Sequence, residues 1–227
     1  MAVAALRERE VDLESLRRAA ERVAPVTLAG ERSLPVLEAL APLLPGGLRR
    51  GVTATVDAAA GPGATALALA LGAGASAAGS WVAAVGLPAL GWQAASELGV
   101  APERLLVVAD PPRDSVATVV AALLDGVDVV YVHAGAVSAP DARRLVARAR
   151  EREVVLVPVA GRGGRPGGST WPLGADVRLS VAEPEWQWDG RLVARRVRVT
   201  VSGKGVYARE RSAALWLPDS SGRVSPA

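Results

Sequence analysis

Between Ala58 and Thr65 the chain reads Ala-Ala-Ala-Gly-Pro-Gly-Ala-Thr, a turn of small residues that follows a β-branched run and opens onto an apolar stretch. Such a turn points backbone N–H groups, and the positive end of the helix that follows, at a phosphate. Laid on the pattern G-x-x-x-x-G-K-[ST], however, the segment keeps only Gly63 and Thr65. Ala58 stands at the first glycine, Ala64 stands at the lysine, and Pro62 beside Gly61 removes one N–H donor. The lysine supplies the charge-assisted contact to the phosphates, so its loss argues against nucleotide hydrolysis. His133 is the chain's one histidine and there is no cysteine. A lone imidazole without a neighbouring carboxylate in sequence reads as a polar residue ending a strand, not a general base or metal ligand. The expectation is no catalytic residue, no bound cofactor and no metal, with a degenerate phosphate loop over Ala58, Gly61, Gly63, Ala64 and Thr65.

The elements that position this turn alternate. A strand over 52–56 precedes it and a helix over 65–73 follows. Strands are expected at 81–85, 105–109, 127–132 and 154–159, with helices at 91–98, 115–124 and 140–152 between them. Continuous apolar strands separated by helices imply a mostly parallel sheet covered on both faces. Upstream, residues 5–24 carry Leu6, Leu13, Leu16 and Val23 at helical spacing, and a second helical stretch over 34–44 ends at Pro45-Gly46-Gly47. The segment 161–170 is Gly/Arg-rich and reads as a loop. Asp189-Gly190 sits between two strand-like runs and signals a two-residue hairpin. Residues 212–227 read as a flexible tail with one apolar island around Trp216. The domain expectation is an N-terminal helix (1–27), a core (28–211) and that tail.

Composition narrows the function classes. No apolar run reaches the roughly 18 residues of a membrane span, and the acidic residues among the arginines near the N-terminus do not make a secretory signal. Absent cysteines suit a reducing compartment, so a soluble cytoplasmic protein is expected. Net charge is +3, and Lys204 is the only lysine beside an excess of arginine, which reflects base composition more simply than selection for phosphate contact. The charge is uneven: residues 191–211 contain one acidic residue, Glu210, among seven basic ones.

Several residues suit surface contacts. Arg162 and Arg165 on the Gly-rich loop, with Arg196, Arg198 and Lys204 of the hairpin region, could meet single-stranded DNA or an acidic partner, or form a solvated face. Trp186 and Trp188 share one strand face, fit either for stacking on bases or for cross-strand packing. Leu13 and Leu16, and Leu215, Trp216 and Leu217 in the tail, are candidate partner anchors or cover the chain's own core.

Over about residues 28–204 the order of elements and several phrases resemble the bacterial RecA core: the strand-turn-helix from Thr53 to Leu71, Leu98-Gly-Val followed by Leu105-Leu-Val, Val127-Asp-Val-Val-Tyr-Val, and Val154-Val-Leu-Val-Pro-Val. The resemblance implies a RecA-like, P-loop-type α/β fold with a C-terminal antiparallel hairpin. In that family a lysine, a glutamate and an aspartate serve nucleotide hydrolysis; here Ala64, Leu87 and His133 stand at or beside those positions, and an imidazole does not replace a carboxylate on a hard cation. The short, degenerate chain is most similar to divergent ImuA proteins. That likeness implies a non-catalytic accessory role in SOS-induced translesion DNA synthesis, a polymerase-like partner of ImuB type, and a place for single-stranded DNA. The alternatives are an SOS-linked cell-division inhibitor and a divergent ATP-binding protein; self-association is left open.

Overall fold

The computed structural model describes residues 32–58, 63–88, 90–160 and 171–227. The chain divides into compact units Met1–Ser33 and Leu34–Ala227, and the described residues lie almost wholly in the second. The expected N-terminal helix with Leu13 and Leu16, and the expected loop with Arg162 and Arg165, fall outside them.

Nine strands form one sheet: β1 (Ala54–Ala58), β2 (Val82–Val85), β3 (Leu105–Val108), β4 (Val129–His133), β5 (Val155–Val159), β6 (Val177–Trp188), β7 (Leu192–Gly203), β8 (Arg211–Trp216) and β9 (Ser225–Pro226). Across the sheet the order is β3-β2-β4-β5-β1-β6-β7-β8-β9, parallel from β3 to β6 and antiparallel from there on. The expected mostly parallel sheet with a terminal hairpin is present. Its helices are α1 (Ala64–Ala77), α2 (Trp92–Glu97), α3 (Val116–Leu123) and α4 (Ala139–Glu151).

The apolar strand runs have two destinations, as a sheet covered on both faces requires. Val82, Ala84, Val129, Tyr131, Val155 and Val157 join the core around α1, while Ala83, Val85, Val130, Val132 and Leu156 join that around α3 and α4. Helix α4 is amphipathic and capped: the Ser138 hydroxyl donates to Asp141 Oδ2 (2.6 Å), and the Asp141 N–H donates back to Ser138 Oγ (3.3 Å). Helix α1 is apolar nearly all round, and it is buried nearly all round. Its Gly72 faces the Tyr131 hydroxyl so closely that a methyl group would collide with it, and a Cβ on Gly74 would lie 2.6 Å from the backbone carbon of Val36. The helix is therefore wedged between the Tyr131 side chain of the sheet and the backbone at 35–36.

Two sequence expectations fail. The helix expected over 34–44 is a single 3-10 turn at Glu38–Leu40; Pro35 and Pro42 interrupt the donors and φ angles a longer helix needs. The tail expected over 212–227 is structured instead. Strand β8 pairs along β7 from Arg211↔Val201 to Trp216↔Arg196, and β9 pairs with β8. Leu215 and Leu217 are fully buried in the α1-side core and Trp216 is half-buried. An apolar island too short to fold alone finds its cover by adding a strand to an existing edge, so Leu215 and Leu217 are core residues and not free anchors.

Leu217→Ala should therefore cost about 2–5 kcal/mol in a denaturant titration, where a free tail would give no change. Gly74→Ala should destabilise by about 1–3 kcal/mol, because the clash with backbone outweighs the ~1 kcal/mol helix preference for alanine. Gly126→Ala, whose methyl group would meet nothing within 4 Å, is the control expected to leave the midpoint in place.

Candidate functional site

All five strands from β1 to β5 end at the same edge of the sheet, and each delivers a residue to one cleft of about 490 Å³. Ala58 comes from the end of β1, Gly86 and Leu87 follow β2, Asp110 and Arg113 follow β3, His133 ends β4, and Ala160 follows β5. This is where ligands bind in open α/β sheets, outside the carboxyl ends of the strands. The first turn of α1, with Ala64, Thr65 and Ala66, forms one wall, and Leu87, Leu90 and Val116 add apolar surface.

Of the degenerate phosphate loop, Ala58, Gly63, Ala64 and Thr65 line the cleft, and Gly61 lies outside the described residues. Gly63 is the N-cap of α1 at φ 147°, a conformation side chains rarely adopt, and a Cβ there would lie 3.1 Å from Val181 Cγ1. The cap offers no side-chain acceptor to the first-turn N–H groups. His133 sits between two glycines that make room for it: a Cβ on Gly135 would come within 3.1 Å of its Cε1, and one on Gly86 within 3.5 Å of its Cβ.

One cleft-lining side chain was missed by sequence reasoning. Arg195 of β7 is 5% exposed and lines the cleft. Its Nη2 lies 3.6 Å from where a Cβ on Gly63 would be, so a guanidinium from the antiparallel half of the sheet reaches the start of α1. Its Nε donates to the Leu217 carbonyl (2.8 Å), and the guanidinium lies over the Trp186 ring at 5.2 Å. Desolvation by burial lowers its pKa from the ordinary arginine value. The signal was in the sequence: Arg195 shares strand parity with Val197, Val199 and Val201, so it occupies an inward position in an otherwise apolar row.

The strand ladder explains how it gets there. β1 pairs with β6 only from Ala54↔Val177 to Ala58↔Val181, and β6 runs on to Trp188. The β6–β7 hairpin therefore projects past the C-terminal end of β1 as an arm, with register shifts between Ala182/Glu185 and Gln187/Trp188. Trp186, 46% exposed, is register partner of Arg195, and Trp188, 68% exposed, is partner of Leu192; the packing expected of these tryptophans leaves both largely open to solvent.

The other basic residues are spread apart. Arg196 bonds Glu185 (3.2 Å) and Arg198 bonds Glu183 (2.8 Å), cross-strand pairs on an exposed face. Lys204 is exposed at the turn after β7, on the far side of the ladder from the arm. None of these three lines the cleft.

A family model, the MT3502 N-terminal domain, matches residues 42–164. The chain belongs to the MT3502 N-terminal domain family. The matched segment holds β1 to β5, α1 and every cleft residue except Arg195. A relative within reach of sequence comparison is the uncharacterized protein Rv3395c of Mycobacterium tuberculosis, 42% identical over 86 residues, which cover 37% of this chain and 42% of that protein. The match thus spans less than half the length of the relative. No helix among the described residues is long and apolar enough to cross a membrane.

The exposed pairs set the expectation for the arm. Arg198→Ala, Glu183→Ala and the double variant should show a coupling of roughly 0.2–1 kcal/mol in thermal unfolding, shrinking as salt is added.

Proposed function

We propose that this chain is a non-catalytic, RecA-like accessory protein of damage-induced translesion DNA synthesis, acting by binding a polymerase-like partner of ImuB type. The observation that carries the reading is the content of the cleft. The strand order β3-β2-β4-β5-β1-β6 makes β1, at whose end the phosphate-loop-like sequence begins, a central strand, which supports RecA-like ancestry. At or beside the positions where a hydrolase of that ancestry keeps a lysine, a glutamate and an aspartate stand Ala64, Leu87 and His133. An alanine offers no cation to a transferring phosphate and a leucine activates no water. The mycobacterial relative supports an actinobacterial setting for the likeness. Work at a partner surface fits what remains: an arm with two exposed tryptophans and one exposed leucine, the residue types that anchor interfaces.

Two measurements test this. Purified protein with ATP and Mg²⁺ should release no phosphate above a buffer blank, with or without single-stranded DNA; turnover removed by Thr65→Ala would defeat the non-catalytic reading. A strain lacking the gene should lose damage-induced mutagenesis, and Trp188→Ala with Leu192→Ala should weaken capture of the polymerase-like partner by at least about tenfold. Unchanged mutagenesis in the deletion, with division arrest on overexpression, would favour the cell-division reading.

A further inference from the structure

We propose that this chain forms a closed two-fold dimer in which the β6–β7 arm of each copy docks into the strand-end cleft of the other. The inference goes beyond the accessory role and does not rest on it.

The arm supplies one half of the contact. Trp186 and Trp188 are two residues apart on β6 and Leu192 is the register partner of Trp188, so the three share one face of the hairpin. All three are exposed, an apolar patch of the kind that marks an interaction site. The base of the arm is fixed: the Arg195 N–H donates to the Pro218 carbonyl, the Leu217 N–H donates to the Arg195 carbonyl, and the Trp186 ring packs over the Arg195 guanidinium. Neither tryptophan lines the arm's own cleft, and nor does Leu192. The edge of β6 beyond β1 is blunted for strand addition, because Glu183 stands at φ 51° within the register shift and Pro184 follows it. The arm therefore meets its occupant through side chains.

The cleft supplies the other half. Its volume of about 490 Å³ is that of sites taking in a drug-sized molecule, which leaves room for an indole beside a leucyl side chain, and Leu87, Leu90 and Val116 give it apolar walls. The charges match as well. The hairpin tip carries Asp189 and Arg191, while Asp110 and Arg113 stand in the cleft lining. All four are exposed, and among the described residues none of them is in an ion pair. One charge of each sign on either side lets Arg191 meet Asp110 while Asp189 meets Arg113. Both halves of a complementary contact lie on one chain, so the occupant is a second copy.

Placement decides the symmetry. The arm projects past the C-terminal end of β1, and the cleft opens at the C-terminal ends of β1 to β5. Two copies set end to end about a two-fold axis satisfy both contacts at once, and association stops at two; an arm and a cleft at opposite ends would have given an open chain. A tryptophan can bury about 150–250 Å², so two arms and the walls they cover reach the order of 1,000 Å², the low end of specific interfaces. A dimer in the micromolar range follows. A docked arm is hidden, so self-association and capture of another protein by the arm exclude each other.

The test is sedimentation of the purified full chain alone between about 1 and 300 μM, where a monomer–dimer equilibrium with a Kd below about 100 μM is expected. Trp188→Ala with Leu192→Ala should raise that Kd at least about tenfold. Arg191→Asp and Asp110→Arg should each raise it about fivefold or more, and the two together should return it to within about threefold of the parent. All four positions are exposed or half-buried at the surface, and an unchanged unfolding midpoint checks that each variant is folded. A chain that stays monomeric to about 300 μM, assembly that grows past the dimer, a dimer indifferent to the arm variant, or one broken by that variant yet indifferent to Asp110→Arg would each overturn the proposal, the last in favour of arm-to-arm packing. Asp110→Arg leaves the arm itself intact, so it separates this contact from capture of the polymerase-like partner, and either result can fail without the other.

Discussion

The fit of α1 into a slot with no spare room is the constraint on which the rest of the structure depends. One side of the helix meets the Tyr131 hydroxyl at Gly72, and the other meets the backbone of Pro35 and Val36 at Gly74. Alanine and glycine through the helix are what allow both approaches. They also deprive it of the clear apolar stripe of a surface helix, because almost every side chain is inside. A helix fixed on both flanks cannot slide, so the position of its N-terminus relative to the strand ends is set by packing and not by any ligand. The cleft inherits its depth from that fit.

The second half of the chain completes what the first half begins. β6 joins the parallel strands beside β1, turns antiparallel into β7, and sends an arm past the sheet edge. The returning residues then lock the base of that arm: the Arg195 N–H donates to the Pro218 carbonyl, the Leu217 N–H donates to the Arg195 carbonyl, and Leu217 itself fills the core. Asp219 fixes the turn beyond through N–H groups of Ser221 and Arg223. At the opposite edge of the sheet, polar anchors do comparable work. Asp128 receives Arg50 and the Trp81 N–H, and Asp176 receives Arg150 and the Thr53 N–H.

Much of this was legible in the sequence because two periodicities are strong in it. Every parallel strand and all four helices of the core lie within a few residues of their expected places, since apolar runs of four to five residues separated by helical stretches admit few other arrangements. The break between β1 and α1 was legible because glycine and proline carry their conformational meaning locally. What was missed depends on partners far away in sequence. The prolines at 35 and 42 outweighed the helical spacing of 34–44, and residues 212–217 took their structure from an edge strand already formed by β7. Arg195 was hidden among neighbouring arginines, although its parity with Val197 and Val199 marked it as inward. Of the cleft, the glycine and helix-start residues were visible in advance, whereas the cation facing them was not.

The match to the MT3502 N-terminal domain stops at residue 164, before the arm begins. The shared domain thus carries the helix end and the strand-end walls of the cleft, while Arg195 opposite them comes from the segment that follows. Two proteins with this domain and unlike continuations would present the same hollow with different electrostatics. Divergence in the portion after the domain would then change how the hollow is lined without disturbing how the domain folds.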